Sequence, residues 1–312
     1  MHANLDMFVE TNKDEINVDI ALNTIITDIA HTALKISKLI SNAYVQQSNL
    51  LGYSSKYNRS GDNQTNLDIL AHEIFIEAFS KNNDICAVIS EEANDPIIIN
   101  EIIGKYIITI DPIDGSSNIK SVCPIGSIIS VYERISSKGK KISNIDLFQP
   151  GTRQVLSLYV LYSTVIVLVY SVGQGVNIFT YDEHMSKFVL THKNFTPPKT
   201  HKVYSINESY IQNFPFELKQ ELQNYKKQKL TARYSGSLVL DIHRILMNGG
   251  IFIYPSTLIS PSGKLRLIIE CNPIAFLIEQ LGGTATQDGH NKRILELVPQ
   301  AIHQTTPLYI KT

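Results

Sequence analysis

The sequence predicts a layered protein of mixed α+β and α/β type, from three features of its apolar pattern. Apolar residues recur at helical spacing near the N-terminus, short apolar segments fill the middle, and strands alternate with helices in the last third. At 312 residues the chain can build two cores. The expected division is an N-terminal α+β domain over 1–196 and a C-terminal α/β domain over 197–312.

From Val18 to Ala43 the residues Leu22, Ile25, Ile26, Ile29, Ala33, Ile36 and Ile40 line one face, which predicts one long helix or two in series. Tyr53 to Thr65 is polar, contains Gly61 and reads as a mobile loop. Helical periodicity returns from Leu67 to Phe79. Ile85–Ser90, Tyr106–Ile110 and Ile128–Tyr132 read as strands, and Glu91-Glu92 directly follows the first. Further strands are expected at Gln154–Tyr162, Val165–Val172, Val176–Tyr181 and Phe188–Thr191. Asn194 to Lys202, with Pro197-Pro198, reads as the linker. Beyond it the pattern predicts a strand at Val203–Ser205, helices at Phe216–Lys227 and Ser237–Met247, and strands at Ile251–Tyr254 and Leu265–Glu270. A helix from Pro273 to Leu281 closes the series, ended by Gly282-Gly283.

Composition removes several function classes. Lys+Arg 28 against Asp+Glu 29 leaves a formal charge of -1, so there is no basic field for nucleic acid. Val155 to Val172 is uncharged, but its Val, Ile and Tyr content and the polar pair Ser163-Thr164 suit two buried strands rather than a membrane span. Met1 to Glu15 lacks the apolar core of a signal peptide. Cys86, Cys123 and Cys271 show no metal-ligand spacing and read as small buried hydrophobes in a reducing, cytoplasmic setting. The nine histidines form no ligand pair, and His243 reads as a packing or capping residue.

Chemistry concentrates in Asp111-Pro112-Ile113-Asp114-Gly115-Ser116-Ser117-Asn118. Pro112 keeps Asp111 extended, so the two carboxylates leave a short turn in defined directions. Asp111, Asp114 and the Ile113 carbonyl form a hard-oxygen set suited to Mg²⁺ or Mn²⁺. Gly115, Ser116 and Ser117 can offer backbone amides to a phosphate. Glu91 and Glu92 end a neighbouring strand, where adjacent residues point to opposite faces. Alone, that pair reads more readily as a solvated acidic turn, and its value comes from the Asp-bearing strand end downstream.

These motifs, together with Gly61-Asp62…Leu67-Asp68, Tyr204-Ser205-Ile206-Asn207-Glu208, Ala232-Arg233-Tyr234, Gly249-Gly250-Ile251-Phe252-Ile253-Tyr254-Pro255 and Gly263-Lys264-Leu265-Arg266-Leu267 through Glu270-Cys271-Asn272-Pro273, run the length of the chain. In them the chain resembles class I fructose-1,6-bisphosphatases, of the lithium-sensitive, metal-dependent phosphomonoesterase superfamily. The resemblance implies an α-β-α-β-α layered sandwich of the sugar phosphatase type. It also implies hydrolysis of the 1-phosphate of fructose 1,6-bisphosphate in gluconeogenesis. Sedoheptulose-1,7-bisphosphatase or dual activity, and an inactive sugar-phosphate sensor, are the alternatives.

Carried over residue by residue, Asp111, Asp114 and Glu270 hold one divalent ion. Glu91, Asp111 and the Ile113 carbonyl hold a second, and Asp62 with Glu91 a third, giving two to three ions per subunit. Glu92 and Asp68 activate water, while Gly115, Ser116, Ser117 and Arg266 grip the reacting phosphoryl group. Asn207, Tyr210, Arg233, Tyr234, Tyr254 and Lys264 contact the sugar and its 6-phosphate, with Arg233 reaching a neighbouring subunit's site, which implies a dimer or tetramer. Two departures stand out. Lys120 replaces an acid found in many relatives. Val18–Asn23 lacks the glycines of the AMP-binding turn in animal enzymes, and Glu133 stands where those relatives carry Arg, so AMP control in that manner is not expected.

Overall fold

The computed structural model describes residues 3–11, 19–45, 52–57, 63–199 and 202–312. The first part holds helices α1 (Leu5–Thr11) and α2 (Ile20–Val45), the hairpin strands β1 (Tyr53–Tyr57) and β2 (Asn63–Thr65), and α3 (Asn66–Ser80). Then come β3 (Ile85–Ser90), β4 (Ile97–Ile98), β5 (Tyr106–Asp114), β6 (Ile125–Glu133), the short α4 (Asn144–Leu147), β7 (Gln154–Tyr162), β8 (Ile166–Ser171), β9 (Asn177–Asp182) and β10 (Lys187–His192). The last part comprises β11 (Val203–Ser205), α5 (Phe216–Lys227), β12 (Thr231–Ala232), α6 (Leu238–Asn248), β13 (Gly250–Tyr254) and β14 (Leu265–Arg266). It ends with α7 (Asn272–Gln280), β15 (Thr284–Thr286), β16 (Thr305–Thr306) and β17 (Leu308–Lys311).

Among the described residues two large sheets alternate with three helical layers, and β1–β2 and β14–β16 form separate two-stranded ribbons. The larger sheet has eight strands in the order β10-β9-β8-β7-β6-β5-β3-β4, and the smaller has five in the order β12-β11-β13-β17-β15. In the larger sheet only β3 and β5 pair in parallel. Alternation along β6 explains the layering. Ile129 and Val131 face a core shared with α2 and α3, whereas Ile128 faces a second core shared with α6 and α7. That second core also takes Phe252, Leu308 and Ile310 from the smaller sheet, so α6 and α7 lie between the two sheets. On the outer side α5 supplies Leu218, Leu222 and Tyr225 against Tyr204, Ile251 and Ile253. The result is the expected α-β-α-β-α sandwich. Burial of each such large aliphatic side chain contributes about 1.5–3 kcal/mol, so the α2 stripe of Ile25, Ile26, Ile29 and Ile36 is a principal anchor of the first layer.

Four expectations need correction. Tyr53 to Thr65 includes an antiparallel hairpin, with Tyr53 opposite Thr65 and Tyr57 opposite Asn63. β5 does not stop at Ile110 but runs on through Asp114 as a bulged strand. The strand expected over Leu265–Glu270 is only Leu265–Arg266, after which Leu267–Cys271 forms a π-helical turn leading into α7. An apolar run of that length reads alike as strand or helix, and here pairing with β16 ends after two residues. Cys123 is exposed, unlike Cys86 and Cys271. Val155–Val172 forms the hairpin β7–β8, and among the described residues no helix is long and apolar enough to cross a membrane.

His243 on α6 packs as expected, with Nδ1 2.8 Å from the Tyr159 hydroxyl of β7. Burial pushes its imidazole down to about 4, with His192 adding to the effect. Its contribution to stability is therefore present above the unfolded value near 6.5 and is lost as pH falls from there to about 4. Urea unfolding at pH 7 and at pH 5 should show the loss, and His243→Gln should reduce the acid penalty by about 2 kcal/mol. An identical pH slope in the variant excludes His243 as its source.

Candidate active site

Because β3 and β5 are parallel and in register, with Ser90 opposite Ile110, their carboxyl ends coincide. Glu91 follows directly, its N–H donating to the Ile110 carbonyl at 3.0 Å, so it enters beside Asp111. Glu91 and Glu92 lie in a turn rather than on the strand, and both line one cavity instead of facing opposite ways. In β5, Asp111 pairs with Ile128 and Asp114 with Gly126, three steps against two, which is a β-bulge. The bulge brings both aspartates to the same cavity. It is held by the Ser127 hydroxyl donating to the Pro112 carbonyl at 2.6 Å and by Ile113 N–H donating to Asp111 Oδ1 at 3.0 Å.

Asp114 is met by the N-terminus of α6. Leu238 N–H donates to Oδ1 at 3.0 Å, while Val239 N–H and the Ser237 hydroxyl donate to Oδ2 at 2.8 and 2.5 Å. The positive end of the helix dipole adds to these bonds. Two glycines permit the approach. A Cβ on Gly126 would sit 2.6 Å from Val239 Cγ1, and one on Gly115 (φ +80) would sit 2.5 Å from Ser237 Cβ. Glu270 arrives from the π-helical turn, its Oε2 accepting the Arg266 N–H at 2.6 Å.

Asp111, Asp114 and Glu270 each offer one oxygen, and these atoms all lie within 4.8 Å of one another. Burial raises the Asp111 carboxyl well above its usual range, and Glu91, Asp114 and Glu270 raise it further. Burial likewise pushes Asp114 to about 6 against its three donors, and Glu270 to about 8 against the pull of Arg266. A buried, oxygen-only set that takes up protons for want of positive charge is suited to hard divalent cations. Arg266, almost wholly buried, partly offsets the charge, with Nη1 2.6 Å from Glu91 Oε1 and 3.5 Å from Glu270 Oε2.

Asp68 opens α3, its Oδ2 accepting the Thr65 N–H at 2.7 Å in a capping box. Its Oδ1 is buried without a hydrogen-bond partner. Burial pushes this carboxyl up to about 7; the Thr65 bonds oppose that, and Glu91 adds to it. The cavity measures about 540 Å³ and brings Asp68, Glu91, Glu92, Asp111, Ile113, Asp114 and Glu270 together with Gly115, Ser116 and Ser117. It also takes Asn207, Tyr234, Tyr254, Lys264 and Arg266. Tyr210 lies instead on an adjoining pocket of about 220 Å³ that shares Asn207, Tyr254 and Lys264. Arg233 lines neither; it is exposed and donates to the Ala232 carbonyl at 2.9 Å. Asp62 lies outside the described residues. A larger cavity, about 990 Å³, lies beside α5 and β17 but gathers no cluster of buried carboxylates.

Ser237, Leu238 and Val239 were not singled out as site residues by sequence. Ser237 preceding an amphipathic run is an N-cap signal, but its partner Asp114 lies 123 residues away. At the other end of the first layer, Asp19 caps α2 through Leu22 N–H at 2.8 Å and accepts from Lys105 Nζ at 2.8 Å and Tyr106 OH at 2.9 Å. Ser237→Ala removes both the α6 cap and a donor to a buried carboxylate. It should lower unfolding stability in chelator by about 1–2 kcal/mol, measured by urea titration. An unchanged midpoint excludes this contact as a support of α6.

Comparison with known proteins agrees with this geometry. Residues 5–193 match the family model for the fructose-1-6-bisphosphatase N-terminal domain, and residues 197–311 match that for its C-terminal domain. A class 1 fructose-1,6-bisphosphatase of Amoebophilus asiaticus is 42% identical over 294 residues, covering 94% of this chain and 88% of that protein. Leishmania major fructose-1,6-bisphosphatase in its holo form superposes with a TM-score of 0.91 at 33% identity, over 100% of this chain and 95% of the other. The same enzyme in its T-state gives 0.86 at 32% identity, with the same coverage. The chain belongs to the fructose-1,6-bisphosphatase family.

Proposed function

We propose that this protein hydrolyses the 1-phosphate of D-fructose 1,6-bisphosphate, releasing phosphate and fructose 6-phosphate, and serves gluconeogenesis in the cytoplasm. The convergence of the buried Asp111, Asp114 and Glu270 in one cavity with Arg266 and Lys264 carries this reading. The donor set fits Mg²⁺, with Mn²⁺ as its substitute. Asp111, Asp114 and Glu270 hold one ion, Glu91, Asp111 and the Ile113 carbonyl a second, and Asp62 with Glu91 a third. When bound, such ions polarise phosphoryl oxygens and acidify water near neutral pH.

The chain's own groups then divide the work. Asp68, with its carboxyl near 7 and one oxygen unpaired, accepts the proton of the attacking water together with Glu92. Arg266 and the amides of Gly115, Ser116 and Ser117 orient the phosphoryl group for in-line attack. Water forms the new P–O bond as the bond to the sugar oxygen breaks, and that oxygen takes up a proton from solvent, without a phosphoenzyme. Asn207, Tyr210, Tyr234, Tyr254 and Lys264 grip the sugar and its far phosphate through single hydrogen bonds and one point charge. Arg233, exposed here, completes the site of a second copy in a dimer or tetramer. The proposed domain division at 196/197 is supported by the strands of the eight-stranded sheet all lying before it and those of the five-stranded sheet after it. AMP control in the animal manner is no part of this reading, because Asp19 occupies the N-terminal cap of α2, where its charge would repel a phosphate. A seven-carbon bisphosphate is the second reading, favoured by the 220 Å³ pocket adjoining Tyr254 and Lys264.

Phosphate release from fructose and sedoheptulose bisphosphates, with Mg²⁺ and with chelator, tests the proposal. Turnover of neither sugar with metal refutes it. Asp114→Asn should cut kcat at least about 100-fold while the protein stays folded, and near-normal turnover removes Asp114 from the metal site. Arg233→Ala should raise KM about 10-fold with kcat nearly unchanged, since a remote phosphate grip is lost. An unaltered KM excludes the intersubunit contact.

A further inference from the structure

The turn bearing Glu91 and Glu92 is fastened by a contact that the scheme above does not use. Ser90, the last residue of β3, is buried, and its hydroxyl accepts the N–H of Glu92 at 3.3 Å. The same oxygen lies 2.8 Å from Nδ1 of His72 on α3. A serine hydroxyl has one proton and two lone pairs, so while accepting from Glu92 it can donate to an unprotonated Nδ1. Burial lowers the His72 pKa, which favours the neutral ring this arrangement needs.

His72 stands four residues after Asp68 on the same helix, one turn further along the same face. Asp68 and Glu92, the pair assigned above to the attacking water, come from different elements, α3 and the end of β3. Glu92 N–H donating to Ser90 Oγ, and Ser90 Oγ donating to His72 Nδ1, make a direct polar tie between those elements. On the other side of the turn, His303 Nε2 donates to the Ala93 carbonyl at 2.9 Å, so the turn is clasped between α3 and the C-terminal segment.

We propose that His72 is a positioning residue for hydrolysis, which through Ser90 sets the placement of Glu92 relative to Asp68. This rests on the proposed function of the same site. Its side chain touches neither substrate nor ion; it acts on the geometry of the water-activating pair. Small errors in such geometry cost rate rather than binding, because the sugar and its far phosphate are held by other residues.

Steady-state kinetics with fructose 1,6-bisphosphate and saturating Mg²⁺ test the idea. His72→Ala should lower kcat about 10-fold or more with KM for the sugar unchanged. His72→Asn, whose amide oxygen can stand where Nδ1 does, should restore most of the rate. Ser90→Ala should repeat the defect, and the double variant should be no worse than either alone. If the void left by Ala unfolds the protein, His72→Leu fills it without an acceptor and should show the same kcat loss. Wild-type kcat in the Ala or Leu variant, equal loss in Asn and Ala, or additive single and double effects each overturn the proposal. Absence of metal-dependent turnover in the wild type overturns the functional reading and this inference together. Normal wild-type turnover with normal His72 variants overturns the inference alone.

Discussion

Buried negative charge is the constraint around which this protein is built. Asp111, Asp114 and Glu270 share one pocket with Glu91, Glu92 and Asp68 beside them, and burial drives four of these carboxyls upward. Unpaired, such a cluster opposes folding. The surrounding elements each supply a partial answer. α6 points its N-terminus at Asp114, Arg266 spans Glu91 and Glu270, and the capping box of α3 ties down one oxygen of Asp68. None of these neutralises the cluster, and the remaining charge suits the cavity to cations.

Geometry follows from that constraint. Only parallel pairing brings the ends of β3 and β5 to the same edge, and only the bulge turns two aspartates of a single strand into one cavity. The helix that answers Asp114 must come close, and it can because Gly115 and Gly126 leave no side chain in the way. Position 126 sits opposite Asp114 in the ladder, so the space and the charge it serves are set by one pair of residues.

Much of this was legible in the sequence. Period-3.6 and apolar runs located α2, α3, β3, β7 and α5 nearly to the residue, because each buries a face whose pattern is local. The Asp-Pro-Ile-Asp-Gly-Ser-Ser-Asn run announced metal and phosphate chemistry for the same reason. What escaped were features decided by partners distant in the chain. The bulge in β5 depends on its register against β6, and the π-helical turn at Glu270 on where the β14–β16 pairing stops. The Ser237 contact needs two segments 123 residues apart to meet. Arg233 and Tyr210 carried a motif signal, yet one is exposed and the other lies on the adjoining pocket, since a motif names residue types without placing them in a cavity.

The two sheets contribute unequally to the cavity, with an order that matters during synthesis. Glu91, Asp111 and Asp114 belong to the eight-stranded sheet or its edge, whereas Lys264, Arg266 and Glu270 come from the later half of the chain. A ribosome therefore makes the acidic wall well before it makes the arginine that bridges it or the helix that caps it. Through that interval the larger sheet carries uncompensated carboxylates, and no partial chain ending before Glu270 contains the full donor set. The cavity is thus complete only when the second half has folded onto the first, so an unfinished molecule carries its acidic wall without the groups that face it.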